Sequence, residues 1–219
     1  MNKTAIILGA TGLTGGILLD KLLQDERYES IKVFGRNSVN RKHFKLQENI
    51  CDLLDPETFE SDFSGDEVYC CIGTTASKTK DKSQYRKIDH GIPVEIAKLC
   101  AKNEIKTLLV MSAMGANENS SLFYNRIKGE MERDVLAQGV ERTFLVQPAL
   151  IGGERSEKRL GEFIFKRVFS IFNFMLVGPL KKYRSIEPKT IANAMIYLAN
   201  SEHETGRISS DQLLDIGKK

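Results

Sequence analysis

The chain has 219 residues, 41% of them hydrophobic and 28% charged, and its formal net charge is +3. This composition is that of an ordinary globular protein with a buried core, and it excludes a disordered chain. The weak net charge gives no reason to expect a nucleic-acid partner.

The spacing of cysteines and histidines argues against a metal site. The four cysteines form no C-x-x-C pair, and the three histidines lie far apart. Reduced thiols are typical of a cytosolic protein, so we predict a cytoplasmic location. No charged segment with a cleavage site precedes the first strand, and the apolar stretch over residues 163–180 is interrupted by Lys166 and Arg167. We therefore expect neither a secretory signal nor a membrane span.

Short apolar segments alternate with helical patterns along the chain. Strands are predicted at residues 4–8, 31–34, 67–72, 107–111 and 143–146, with a weaker one ending at residue 50, and helices at 13–24, 84–102 and 121–138. This alternation predicts βαβ units and a single Rossmann-like, doubly wound α/β domain over residues 1–219, with strand order 3-2-1-4-5-6. We interpret residues 150–186, where the alternation lapses, as a small C-terminal substrate or lid insertion.

A glycine-rich loop joins the first strand to the first helix, with the spacing G-x-x-G-x-x-G. The first glycine permits a tight turn, the second lets the backbone approach a pyrophosphate, and the third lets the helix pack closely. The helix N-terminus offers N–H groups and a positive dipole end to phosphates. We predict that this loop binds a dinucleotide through Gly9, Thr11, Gly12, Leu13, Thr14 and Gly15.

Later strand ends are predicted to complete the cofactor site. Arg36 follows the second strand, where an NAD-specific site usually has an acidic residue, and a guanidinium there can bind a 2′-phosphate. This favours NADP(H) over NAD(H), with a surface arginine as the alternative. Asp52, beside Leu53, can accept from the adenine amino group, or it can be a turn or N-cap aspartate. The small residues that end the fourth strand can lie along the cofactor: Cys71, Ile72 and Gly73. The alternative for Gly73 is a simple turn.

A serine, a tyrosine and a lysine suggest carbonyl chemistry. Tyr124 and Lys128 lie four residues apart, so they share one helix face. A free tyrosine has a pKa of about 10, and a nearby ammonium favours its phenolate. Ser112, at the end of the fifth strand, can hydrogen-bond a carbonyl oxygen. A solvated helix face is the alternative for the tyrosine and lysine, but their combination with Ser112 and the glycine loop predicts a catalytic site. Tyr124 and Lys128 are also predicted to contact the cofactor.

These motifs make the sequence similar to atypical short-chain dehydrogenases/reductases, and within them to the Tat-interacting oxidoreductase-like proteins and their small bacterial relatives. The likeness covers nearly the whole chain, and residues 71–75 and 124–130 are its more specific segments. It implies a catalytic triad of Ser112, Tyr124 and Lys128.

The resemblance carries two further implications and shows one departure from the family. It implies that residues 147–152, which include Pro148, run beside the nicotinamide. No asparagine matches the one that completes a tetrad in many short-chain enzymes. Relatives carry an aspartate in the helix that holds Asp89, for which we expect a packing or capping role.

Two classes of function follow from these observations. The first is an NADP-dependent oxidoreductase that reduces a carbonyl on a small apolar substrate, and the second is a non-catalytic NADP(H)-sensing or partner-binding protein. A sugar epimerase is a third option, for which the chain is short. Residues 163–177 are rich in large apolar side chains, and we predict that they cover the nicotinamide end. Ordinary core packing is an equal alternative for them, and docking on a membrane surface or a partner is a further one.

Overall fold

The computed structural model describes residues 2–75, 77–151 and 183–219. Its strands are β1 (Lys3–Leu8), β2 (Tyr28–Gly35), β3 (Leu46–Ile50), β4 (Glu67–Cys70), β5 (Thr107–Met111), β6 (Arg142–Gln147) and β7 (Gly206–Ser209). Its α-helices are α1 (Leu13–Gln24), α2 (Lys82–Arg86), α3 (Ile92–Lys102), α4 (Phe123–Leu136), α5 (Pro188–Ala199) and α6 (Ser210–Ile216). Two 3-10 turns, Pro56–Thr58 and Glu60–Asp62, lie between β3 and β4.

The strands form one parallel sheet in the order β3-β2-β1-β4-β5-β6-β7. The predicted Rossmann-like α/β fold and the order of the first six strands are confirmed. The sequence did not predict β7, because only Ile208 of its four residues is fully buried and a single apolar position gives no strand pattern.

The two faces of the sheet bury alternate residues of each strand. Ile7 and Phe144 pack on the side of α1 and α5, while Ile6 and Leu145 pack on the side of α3 and α4. Helices on both faces explain why the strands read as continuous apolar runs. The sheet therefore holds the carboxyl ends of its strands in fixed relative positions.

The helix predicted over residues 84–102 is interrupted by one π-helical turn, Lys87–Gly91. Pro93, the second residue of α3, has no N–H to donate to the carbonyl of Asp89, and in a regular α-helix its ring would crowd that carbonyl. The backbone N–H of Ile92 donates instead to the Lys87 carbonyl. The wider turn accompanies the burial of Asp89 against α4.

A buried polar cluster lies at the amino-terminal edge of the sheet. The Glu67 carboxylate accepts hydrogen bonds from Tyr28 and Tyr69 and pairs with Lys3 at 3.1 Å. Asn200 donates to the Tyr28 hydroxyl at 2.7 Å and accepts from Lys3 at 2.8 Å. Because each group has a partner, we interpret this cluster as structural, on the edge opposite the site described below.

The predicted lid insertion falls largely on residues 152–182, which lie outside the described residues. The residues at its two ends do meet, since Ile151 and Ile186 form a parallel β-bridge. The amide of Ile186 donates to the Leu150 carbonyl at 3.1 Å. The lid itself stays a prediction.

Candidate functional site

A cleft of about 1240 Å³ opens at the carboxyl ends of β1, β4 and β5. The sheet order changes direction between β1 and β4, and ligands of doubly wound folds bind at such a switch point. The cleft wall includes eleven of the predicted site residues: Thr11, Gly12, Leu13, Thr14, Gly15, Cys71, Ile72, Gly73, Ser112, Tyr124 and Lys128. Gly9, Arg36, Asp52, Leu53 and Pro148 do not line it.

Two glycines of the loop lie so close to neighbouring backbone that a side chain would not fit there. Gly9 has a φ of +85°, and a Cβ there would lie 2.7 Å from the Cys71 carbonyl oxygen. A Cβ on Gly15 would lie 2.2 Å from the Gly9 carbonyl oxygen. Helix α1 begins after Gly12 and no side chain caps its first turn, so N–H groups remain open to the cleft. A pyrophosphate fits these open donors.

The basic residue that faces the cleft after β2 is Arg41. Arg36 is exposed, does not line the cleft and forms no ion pair within the described residues. Asn40 adopts a φ of +52°, and Arg41, which follows it, lines the cleft and donates to the Asp20 carboxylate at 3.0 Å. Arg41 is therefore a candidate to bind a 2′-phosphate. It was not predicted from the sequence, because spacing alone does not give the path of a loop.

The other predicted residues outside the cleft wall have local structural contacts. The Asp52 carboxylate accepts from the Leu54 amide at 3.1 Å, which is the turn role left open above. Leu53 is buried in the core beside Phe34. The Pro148 carbonyl accepts a hydrogen bond from the Met114 amide at 3.0 Å, which links its backbone to the segment after β5.

Lys128 is held inside the site by a buried ion pair. Its ammonium lies 3.2 Å from Asp89 Oδ1 and donates to the Met111 carbonyl at 3.2 Å. Asp89 Oδ2 accepts from the Thr74 amide at 2.7 Å. The side chains of Asp89 and Lys128 are only 1% and 3% exposed. Asp89 thus joins the loop after β4 to Lys128, a link beyond the packing or capping role expected for it.

Tyr124 stands at the mouth of the cleft, 43% exposed. Burial against the protein raises the pKa of Tyr124, the Lys128 ammonium lowers it, and the Asp89 carboxylate raises it, with a net rise. The phenol form is therefore the stable one at neutral pH. Such a group supplies a proton more readily than it accepts one.

Ser112 directs its hydroxyl to a buried carboxylate. Ser112 Oγ donates to Glu132 at 2.5 Å, and Glu132 is fully buried. Gln147 and Arg207 also donate to Glu132, each at 2.7 Å. The sequence reasoning missed Glu132, although it continues the four-residue spacing of Tyr124 and Lys128 along α4 and so lies on the same face.

The end of β4 provides an uncharged wall. Burial raises the pKa of the Cys71 thiol well above its usual range, so it stays protonated. The same cause raises the pKa of Cys70 to about 11. These thiols behave as small apolar groups rather than nucleophiles.

Comparison with known proteins assigns the family. The model of the NAD(P)H-binding family matches residues 9–163. The chain belongs to this NAD(P)H-binding family, as an atypical short-chain dehydrogenase/reductase. It is 30% identical to the protein FMP52, mitochondrial, of Debaryomyces hansenii, over 90% of this chain and 88% of that protein. It is 27% identical to the rat protein HTATIP2, over 77% of this chain and 71% of that protein.

Several solved structures share the fold of this chain at low sequence identity. A UDP-N-acetylglucosamine 4-epimerase from Methanobrevibacter ruminantium matches with a TM-score of 0.71 and 17% identity, over 98% of this chain and 80% of the epimerase. The Bordetella bronchiseptica enzyme WbmG in complex with NAD matches with a TM-score of 0.71 and 13% identity, over 99% of this chain and 77% of that one. At these identities the match shows the fold alone.

The relatives contradict the predicted cytoplasmic location. FMP52 proteins from D. hansenii, Aspergillus niger and Candida glabrata all carry the word mitochondrial in their names. The prediction was wrong because it rested on unpaired cysteines, and reduced thiols do not distinguish one reducing compartment from another.

Membrane-spanning helices and metal-binding clusters are both absent from the described residues. No helix among them is long and apolar enough to cross a membrane. No group of three or more His, Cys, Asp or Glu side chains in the same part of the chain could hold a metal ion.

Proposed function

We propose that this protein is an NADP(H)-dependent oxidoreductase that reduces a carbonyl group on a small apolar substrate. The observation that supports the proposal is that Ser112, Tyr124 and Lys128 line the same cleft as the glycine loop. Apolar side chains at this end of the cleft suit such a substrate: Tyr85, Met111, Phe123 and Ile151.

The cofactor would be held by the chain's own donors. The open N–H groups at the start of α1 suit the pyrophosphate, and Arg41, with Arg36 nearby in sequence, suits a 2′-phosphate. When bound, the nicotinamide supplies the hydride.

The remaining chemistry falls to side chains of the cleft. Tyr124, whose pKa is raised and which is therefore a phenol at neutral pH, would give its proton to the carbonyl oxygen. Lys128, fixed by Asp89 and the Met111 carbonyl, would hold the nicotinamide ribose and carry the positive charge beside Tyr124. Ser112 would fix the oxygen-bearing group next to Tyr124.

Substitution of Tyr124 by phenylalanine tests this proposal. Aldehydes, ketones and quinones are first screened with NADPH for turnover. Because general acid catalysis contributes about 10²–10⁴-fold, Tyr124→Phe should lower kcat at least about a hundredfold while NADPH binding stays unchanged. Tyr197→Phe is the matched control, since that hydroxyl contacts Lys219 and does not line the cleft.

A second candidate function is a non-catalytic NADP(H)-binding protein. The observation that favours it is that the Ser112 hydroxyl donates to Glu132, so its one proton is not directed to a carbonyl in the cleft. No turnover of any compound in the screen would favour this candidate, whereas turnover by Tyr124→Phe at the parent rate would show that Tyr124 is not the acid.

A further inference from the structure

The buried Glu132 carboxylate accepts hydrogen bonds from residues in or directly after three neighbouring strands. Its Oε1 accepts from Ser112 Oγ at 2.5 Å and from Gln147 Nε2 at 2.7 Å, and its Oε2 accepts from Arg207 Nε at 2.7 Å. Ser112 follows β5, Gln147 ends β6 and Arg207 lies in β7. Glu132 itself is fully buried in α4, one helical turn after Lys128.

This arrangement determines the direction of the hydrogen bond from Ser112. The Arg207 guanidinium has only donors, and so does an amide nitrogen of Gln147, so both oxygens of Glu132 must accept. A serine hydroxyl has one proton and two lone pairs. The proton of Ser112 therefore points to Glu132, and lone pairs are left for the cleft, which Ser112 lines.

An acceptor at this position discriminates between the two members of a redox pair. An alcohol can donate its hydroxyl proton to Ser112, but a carbonyl oxygen has no proton and would face lone pairs. For Ser112 to donate to a carbonyl, it would have to give up its hydrogen bond to the buried Glu132 carboxylate, which is unfavourable. The Tyr124 phenol, by contrast, can donate to the oxygen of either member.

We propose that Glu132 is a positioning residue that fixes Ser112 as a hydrogen-bond acceptor, so that the site preferentially binds the alcohol member of the carbonyl–alcohol pair. The ligand class is then a small alcohol, bound by donation from Tyr124 and to Ser112. This inference deepens the proposed function and rests on it for the roles of Tyr124 and the cofactor. The direction of the Ser112 proton does not depend on turnover.

Neutron diffraction from crystals of the full chain locates that proton directly. In the wild type the deuteron on Ser112 Oγ should point to Glu132. In Glu132→Gln the new amide can accept from Arg207 through its oxygen and donate through its nitrogen to Ser112 and, once the Gln147 amide turns over, to the Gln147 oxygen, so the deuteron should turn into the cleft. A wild-type deuteron that already points into the cleft overturns the proposal, whether or not the protein turns over any compound.

Binding of a matched pair of probes gives the second measurement. We expect the NADP⁺-loaded wild type to bind 1-phenylethanol about three- to tenfold more tightly than acetophenone, the contribution of one hydrogen bond. Glu132→Gln should abolish or reverse this preference, and Ser112→Ala should abolish it. Equal affinities in the wild type, or an unchanged ratio in Glu132→Gln, contradict the proposal.

A control on the same helix separates positioning from folding. Glu130→Gln weakens an ion pair with Arg86 that lies away from Ser112, so it should leave the affinity ratio unchanged. A purely structural role for Glu132 would lower the melting temperature of Glu132→Gln but leave the ratio of alcohol to ketone affinity at the wild-type value. If Tyr124→Phe retains activity while the Ser112 proton points to Glu132, the proposed mechanism fails and this inference stands.

Discussion

Breaking the buried ion pair between Asp89 and Lys128 from one side should be strongly destabilising, and Asp89→Asn does so by removing the charge of the carboxylate. The two charged groups are 3.2 Å apart and almost fully buried. An asparagine has the same shape and can still accept from the Thr74 amide through its oxygen. Its NH₂ group would then face the Lys128 ammonium, whose other hydrogen-bond partner is the Met111 carbonyl.

The expected cost follows from the buried charge that is left behind. Removing one partner of a buried ion pair costs about 3–5 kcal/mol. For a chain of this size each kcal/mol lowers the melting temperature by about 2–4 °C, so Asp89→Asn should melt about 6–20 °C below the wild type. Replacing both partners leaves no unpaired charge, so the double variant with Lys128→Met should lose less than the sum of the single variants.

Thermal and urea unfolding of the wild type, both single variants and the double variant measure these free energies. Glu95→Gln serves as the control, because it breaks an exposed pair with Lys98 and should cost less than about 1 kcal/mol. A loss below about 1 kcal/mol in Asp89→Asn, or strictly additive losses in the double variant, would refute the assignment of a coupled buried pair.

Three other predictions concern the cofactor and the pH dependence. Gly15→Ala places a Cβ 2.2 Å from a backbone carbonyl oxygen of the loop, so it should cost about 1–3 kcal/mol in urea unfolding and weaken NADPH binding in fluorescence titrations. Arg41→Gln should weaken NADPH binding about 10–100-fold and leave NADH binding unchanged, with a smaller effect for Arg36→Gln, and equal effects on both cofactors would contradict it. Because the pKa of Tyr124 is raised above 10.0, the rate of reduction should fall only above that pH. Asp89→Asn removes a carboxylate that raises this pKa, so the rate should begin to fall at a lower pH in this variant. An unchanged pH profile of the rate argues against the electrostatic interaction between Asp89 and Tyr124.

The fold could be predicted because its signals are local. Apolar strands alternate with helical patterns, and the three glycines stand where a strand turns into a helix, so the first six strands and the loop follow from spacing. The shared face of Tyr124 and Lys128 follows from the helical repeat in the same way. β7 gave no such signal, since one buried residue in four is not a pattern.

What could not be predicted depends on contacts between distant segments. Arg36 has the expected position in the sequence, yet the left-handed turn at Asn40 brings Arg41 to the cleft instead. The partners of Glu132 come from three strands, and no spacing along one helix reveals them. The π-helical turn that accompanies the burial of Asp89 depends on the fit of one proline against the preceding turn.

The seventh strand has a consequence for the order in which the protein is made. Synthesis supplies β7 after the other six strands of the sheet, and domains complete their fold as units when the needed segments have emerged. Until residue 207 leaves the ribosome, Glu132 lacks the only guanidinium that neutralises it among the described residues. The packing of α1 on α5 and the pairing of Glu132 with Arg207 both require residues that follow residue 187, so the helix after the glycine loop and the surroundings of Ser112 reach their final packing together, late in synthesis.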